Sequence, residues 1–327
     1  MYRHLLAATA ALVFVATPLA ADNHASHSSS AKVVSKGKIS AAIFKEGRTP
    51  EKLSAQILLD RAGFSPGVID GYGGGNTTAA VKAWQKANGK TINGQIDGEL
   101  LADLRAEDGG RYLNKIKIKD SDLKGGFDNI PDGMAEQAEL DRLGYESAAE
   151  MFAERYHMDM DFLKAINPNA DFSKVGQSLM VVRPGPAKLD TPVARIEISR
   201  SDNWLRAFDG SGNMLASYPA TVGSAEMPSP DGTMEVRAIA PEAKYYFDPA
   251  ANPNWGPDEK LTIAAGPNNP VGGVWIDLTK DTYGIHGSPD PALIGKTASH
   301  GCVRLTNWDA RELADAVSPG TTVEFTS

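Results

Sequence analysis

The 327-residue chain holds a single cysteine, Cys302, so no intramolecular disulfide is open to it and its folded state must rest on packing. It also lacks any apolar run of the roughly 18 residues that a membrane-spanning helix requires, which argues against a transmembrane segment in the mature chain. Its one long apolar stretch, Leu5 to Val15, is shorter, follows Arg3 and His4, and gives way to small residues from Thr17 to Ala21. That order is the order of a secretory signal peptide over residues 1–21, with cleavage expected near Ala20 or Ala21. Basic residues are in deficit: 33 Lys and Arg stand against 41 Asp and Glu, a formal net charge of -8, which argues against nucleic acid as a bulk electrostatic partner. An exported chain that keeps a free thiol exposes it to an oxidising compartment. The thiol is then either a small buried apolar residue or a working group, and composition alone leaves both open.

What is present falls into segments. Residues 22–50 begin polar and small, without periodicity, and read as a flexible leader in which His24 and His27 belong to a solvated tail rather than to a metal site. From 51 to 106 the pattern is helical. Leu53, Ile57 and Leu58 share one helix face, "GFSPGVIDGYGGGN" breaks the chain, Thr77 is placed to cap a second helix bearing Ala80, Val81, Trp84 and Ala87, and a third short helix follows "NGQIDGELLADL". Three short helices joined by Gly-Asp turns make a small bundle. Gly63, Gly67, Ile69-Asp70-Gly71, Thr78, Ala80, Trp84-Gln85 and Gly94 to Gly98 resemble the peptidoglycan-binding domain 1 family. The resemblance implies glycan or stem-peptide binding; a helical packing module without a ligand is the alternative.

Residues 107–135 read as a connector, with "KIKIKDSDLKGG" as a short strand or extended link. In 136–184, Ala148, Met151, Phe152 and Tyr156 form a helical stripe, Phe162, Leu163 and Ile166 a second, and "GQSLMVVRP" a closing strand. With Asn167 and Gly176-Gln177-Ser178-Leu179, this unit resembles a degenerate LysM repeat, strand-helix-helix-strand, that lacks its opening strand. His157 reads here as a surface or helix-end residue.

After the proline-rich joint "RPGPAKLDTP" the periodicity turns to two, and strands with Gly and Pro turns predict a β-sandwich or barrel-like domain over 193–327. One helix interrupts it, carrying Ala310, Leu313, Ala314 and Val317 behind a cap at Thr306 or Asn307. The expected fold class is therefore multidomain α+β. The only two histidines of this domain, His286 and His300, lie within 16 residues of Cys302. A nucleophilic cysteine needs such a base, because the thiolate attacks and the thiol hardly does. Gly301 lets backbone N–H groups turn toward a developing oxyanion, and Arg304 is placed to reach a carboxylate by paired hydrogen bonds.

His286-Gly287, then Ser299-His300-Gly301-Cys302-Val303-Arg304, with "SPDGT" at 229–233 and "GPNNPVGGVWIDL" upstream, resemble the L,D-transpeptidase (YkuD-like) catalytic domain. The resemblance implies Cys302 as nucleophile, His286 as base oriented by the Gly287 carbonyl, and Ser299 and His300 as supports of the loop. It further implies Gly301 and Cys302 N–H groups as oxyanion donors and Arg304 as a substrate or loop contact. The implied reaction uses no cofactor and no metal. Cys302 cleaves the amide before the terminal D-Ala of a peptidoglycan tetrapeptide stem, and the thioester passes to an amine, forming a 3-3 cross-link in the periplasm. It also implies acylation by carbapenems. Water or an envelope-protein amine as acceptor are alternatives with the same nucleophile. Two further rivals are a metal-dependent hydrolase using His286, His300, Cys302 and Asp290, and a non-catalytic wall-binding scaffold.

Overall fold

The computed structural model describes residues 43–44, 47–108, 112–224, 227–250, 256–299 and 301–326; the expected signal peptide, most of the leader with His24 and His27, and His300 lie outside them. None of the described helices is long and apolar enough to cross a membrane.

The helical region begins with α1 (Pro50–Arg61), α2 (Gly75–Ala87) and α3 (Gly98–Asp108). Thr49 caps α1 by accepting the Lys52 N–H, and Pro50 at the first helical position needs no hydrogen bond there. The expected cap of the second helix is corrected: α2 starts three residues earlier, behind Gly74, and Thr77 lies buried in its first turn. There its hydroxyl accepts from Gln56 of α1, so Thr77 ties two helices together instead of starting one.

Residues 112–184 contain β1 (Leu113–Lys117), the short helices α4 (Asp120–Leu123) and α5 (Met134–Ala138), then α6 (Ala148–Arg155), α7 (Met160–Ile166) and β2 (Ser178–Val182). β1 pairs antiparallel with β2, Leu113 opposite Val182 and Lys117 opposite Ser178. The segment read as a connector thus supplies a strand that the following unit lacks by itself. Leu58, Trp84, Phe152, Phe162 and Val181 belong to one continuous buried cluster, so the three-helix module and residues 112–182 share a core.

The C-terminal domain is an eight-stranded mixed sheet. Its strands are β3 (Arg195–Ser199), β4 (Trp204–Phe208), β5 (Met214–Pro219), β6 (Gly232–Ala240), β9 (Trp275–Leu278), β10 (Gly284–His286), β11 (Val303–Arg304) and β12 (Thr322–Thr326), with the hairpin β7 (Tyr245–Phe247) and β8 (Leu261–Ile263) apart from it. The order is β11-β10-β9-β6-β12-β3-β4-β5. Just beyond β5, Thr221 exchanges both backbone hydrogen bonds with Arg304 of β11, each at 2.9 Å. The two edges of the sheet therefore meet, which curls it toward a barrel and leaves neither edge open at that point. The helix α8 (Asn307–Ala316), capped by Thr306, packs Ala310, Leu313 and Ala314 into the core of this sheet.

Candidate active site

The parallel pair β10–β11 sets Ile285 opposite Val303 and His286 opposite Arg304. Side chains alternate across a strand, so the fully buried Ile285 and Val303 point to the core while His286, Cys302 and Arg304 share the opposite face. On β10, Gly284 matters for its missing side chain: a Cβ there would lie 2.4 Å from the Trp275 ring. Its absence lets the indole lie across β10 and stack on His286, ring centroids 5.4 Å apart and 19° from parallel.

His286 is buried, and its Nδ1 lies 2.7 Å from the Gly287 carbonyl oxygen. A carbonyl only accepts, so Nδ1 carries the proton and Nε2 keeps its lone pair. Burial, and after it the Arg304 charge, push the imidazole pKa down to about 4, against the Gly287 bond, which works upward. Burial also pushes the Cys302 thiol up, partly countered by the Gly284 N–H and Arg304. At neutral pH the Cys302 side chain is therefore a thiol and the His286 ring a neutral imidazole. The Cys302 Sγ points toward the Thr282 carbonyl at 3.5 Å, and Thr282, at the turn before β10, holds a left-handed φ of 71° that β-branched residues seldom adopt.

The turn before Cys302 is braced by serines. The Ser299 hydroxyl accepts the Gly301 N–H at 3.1 Å and donates to the Cys302 carbonyl. The Gly301 N–H, expected as an oxyanion donor, is thus already engaged by the Ser299 hydroxyl. Gly301 itself needs φ of 115°, and a Cβ there would meet the Tyr283 ring at 2.9 Å. Gly287 lies against Asn307, whose Oδ1 would be 2.3 Å from an added Cβ. The Arg304 guanidinium is paired with no carboxylate among the described residues.

Sequence reasoning passed over three residues here. Ser229, inside the quoted "SPDGT", is buried and donates to the Gly301 carbonyl at 2.7 Å while accepting the Gly223 N–H. Trp275 stacks on His286, and Asn307, read only as a cap, is fully buried with both ends of its amide hydrogen-bonded. Asp290, named in the metal reading, precedes a short turn of 3-10 helix. Among the described residues no three His, Cys, Asp or Glu side chains cluster as metal ligands.

A cavity of about 340 Å³ lies between the helical region and α8, lined by Asp60, His157, Trp308, Asp309 and Glu312 among others. His157 lies just past the Tyr156 cap of α6, near the expected helix end, but it is largely covered: Nδ1 lies 3.1 Å from both Asp60 carboxylate oxygens, and the ring stacks on Trp308 at 5.0 Å. Burial disfavours its charge, and Asp60 more than restores it, so its pKa is raised. Burial pushes Asp309 up to about 7 and Glu312 up to about 8.

Comparison with known proteins finds two family matches. Residues 193–325 match the YkuD family, described as "L,D-transpeptidase catalytic domain", and residues 49–104 match a family described as "Putative peptidoglycan binding domain". A Bacillus licheniformis protein named "Putative L,D-transpeptidase YkuD" is 29% identical over 177 residues, covering 54% of this chain and 92% of that one. The Escherichia coli K12 protein "Probable L,D-transpeptidase YbiS" is 28% identical over 197 residues, covering 56% of this chain and 61% of its own length. Among solved structures, L,D-transpeptidase 3 of Mycobacterium tuberculosis aligns with a TM-score of 0.35 at 17% identity, over 47% of this chain and 76% of that one. Residues 136–184 fall outside both family matches. The chain thus carries a peptidoglycan-binding domain followed by a YkuD L,D-transpeptidase catalytic domain, and its relatives are L,D-transpeptidases.

Proposed function

We propose that this protein is a cysteine acyltransferase of the cell wall, with Cys302 as nucleophile and His286 as general base. The observation that carries the reading is the pairing of β10 with β11, which sets His286 opposite Arg304, two residues after Cys302, with the His286 Nδ1 engaged by Gly287 and its Nε2 left with a lone pair that can accept a proton. In the first step Sγ attacks the carbonyl of the amide between diaminopimelate and the terminal D-Ala of a tetrapeptide stem. The thiol proton passes to Nε2 as the C–S bond forms, and the imidazolium then protonates the departing D-Ala amine. The Cys302 N–H faces the developing oxyanion, and Arg304 holds the D-Ala carboxylate. In the second step an amine of another stem takes the acyl group, returning the thiol and leaving a 3-3 cross-link.

A neutral resting pair suits this order of events. A half-buried thiol whose pKa is raised resists oxidation in an oxidising compartment until substrate arrives, since the thiolate is the reactive form. Residues 49–104 would hold the polymer while the catalytic domain acts, and residues 1–21 would direct the chain to the periplasm, where that polymer lies. Fractionation that leaves the chain in the cytosol with residues 1–21 uncleaved would sink the export reading.

The decisive test is intact-protein mass spectrometry after incubation with a purified tetrapeptide stem, or with a carbapenem, for wild type and Cys302→Ala. The expected result is an acyl adduct on wild type only, with D-Ala released from the peptide; a correctly folded wild type without adduct overturns the mechanism. Product masses with a second stem present then identify the acceptor as stem amine, water or a protein amine.

A further inference from the structure

The Gly287 carbonyl that takes the His286 Nδ1 proton belongs to the same peptide unit as the Ser288 N–H, and that N–H donates to Asn307 Oδ1 at 2.9 Å. A peptide unit is planar, so fixing its N–H end fixes the direction of its carbonyl. Asn307 is held from its other end. Its Nδ2 donates to Glu154 Oε2 at 2.8 Å and to the Pro267 carbonyl at 3.1 Å. Both partners are acceptors, so the amide cannot turn over without setting its own oxygen against theirs. The room for this arrangement comes from two glycines: a Cβ at Gly272 would lie 1.9 Å from Asn307 Oδ1, and one at Gly287 would lie 2.3 Å from it.

Glu154 lies on α6, outside the catalytic domain, and its other oxygen accepts the Tyr145 hydroxyl at 2.7 Å. The same surface grips the segment that carries Pro267. Leu143 N–H donates to Ala265 O, Asn268 N–H donates to Leu143 O, and the Asn268 side chain donates to Glu150 and to the Gly144 carbonyl. Residues 143–154 therefore hold both acceptors that fix the Asn307 amide.

We propose that Glu154 is a positioning residue for His286, acting through Asn307 and the Gly287–Ser288 peptide, so that the docking of residues 143–154 on the catalytic domain sets the aim of the base. This rests on the assignment of His286 as the base for Cys302. Such an arrangement makes the accessory region part of the catalytic apparatus: a movement of α6 is transmitted to the imidazole over three hydrogen bonds and one peptide unit.

The test uses the full chain and two variants, Glu154→Leu, which removes the acceptor while keeping bulk, and Glu154→Gln, whose carbonyl oxygen can still accept from Asn307. Two readouts are taken: the carbapenem acylation rate as a function of carbapenem concentration, by intact mass, and the His286 Nδ1–H resonance by NMR. The expected result for Glu154→Leu is a maximal acylation rate about 10- to 100-fold lower, the cost of a misaimed catalytic group, with the half-saturating concentration little changed and the Nδ1–H resonance lost or broadened. Glu154→Gln should keep the resonance and stay within about threefold of wild type. Wild-type rate and resonance in Glu154→Leu overturn the proposal, as does equal slowing in both variants with the resonance intact in both. An unacylated wild type would count instead against Cys302 as nucleophile, and the resonance in Glu154→Leu would still decide the positioning question.

Discussion

The most informative side chain is His286, because its environment predicts a rate profile that an ordinary histidine would not give. A general base must be unprotonated to work. With its pKa held near 4 by burial and by Arg304, the imidazole stays neutral far below the usual range near 6.5. The acylation rate should therefore hold from pH 7 down to about 5 and fall only as pH approaches 4. Arg304→Gln removes the charge that opposes protonation, so its acid limb should move upward; an unshifted limb would show that burial alone sets it. Ser229 gives a second test at this scale. Its hydroxyl bridges the Gly301 carbonyl and the Gly223 N–H in a buried position, and Ser229→Ala leaves both without that partner. Denaturant unfolding should show a loss of about 1–3 kcal/mol, together with slower acylation as the turn before Cys302 loosens.

At the scale of elements, α8 joins the site to the core. Thr306 caps it by accepting the Asp309 N–H, Asn307 at its first position holds the Ser288 N–H, and its apolar face lies against the sheet. Thr306→Ala should cost about 1 kcal/mol, measured by chemical denaturation, and should lower activity more than a cap on an unrelated helix would. This helix and its cap were legible in the sequence, since the i, i+3, i+4, i+7 stripe and a threonine ahead of it are local signals. Cys302, His286 and Arg304, the residues the proposed mechanism uses, stand within one short stretch and could be named from it. Asn307, Ser229 and Trp275 were not legible as parts of the site, because each acts through a tertiary contact, with Ser288 and Glu154, with Gly301 and with the His286 ring, that periodicity cannot name. Thr77 misled for the same reason: threonine near a helix start reads as a cap, while its tertiary contact with Gln56 decides its place. The pairing of β1 with β2 across about sixty residues of helix and turn likewise left no local trace.

For the whole molecule, the cavity between the helical region and α8 makes domain docking a titrating system. Asp60 of α1 pairs with His157, Ser65 donates to Asp309, Tyr218 of β5 donates to Glu312, and Gly185 of the joint donates its N–H to Asp60. Asp309 and Glu312 have folded pKa values near 7 and 8, above their ordinary values of 3.8 and 4.5, so they stabilise the fold fully at low pH and lose that contribution as pH rises through 7 to 8. His157, also raised, acts in the same direction. His286 acts oppositely, adding stability as pH rises from about 4 to 6.5, so it offsets the cluster in that range and no further. The melting temperature should accordingly decline between pH 6.5 and 8 and then level off. The double variant Asp309→Asn, Glu312→Gln mimics the protonated carboxyls and should flatten that decline, since the amides still accept from Ser65 and Tyr218. Thermal unfolding of both proteins at pH 6.5, 8 and 9 checks this. A wild type as stable at pH 8 as at 6.5, or a double variant that declines equally, would remove the interface carboxyls from the account of how the two halves of the molecule hold together.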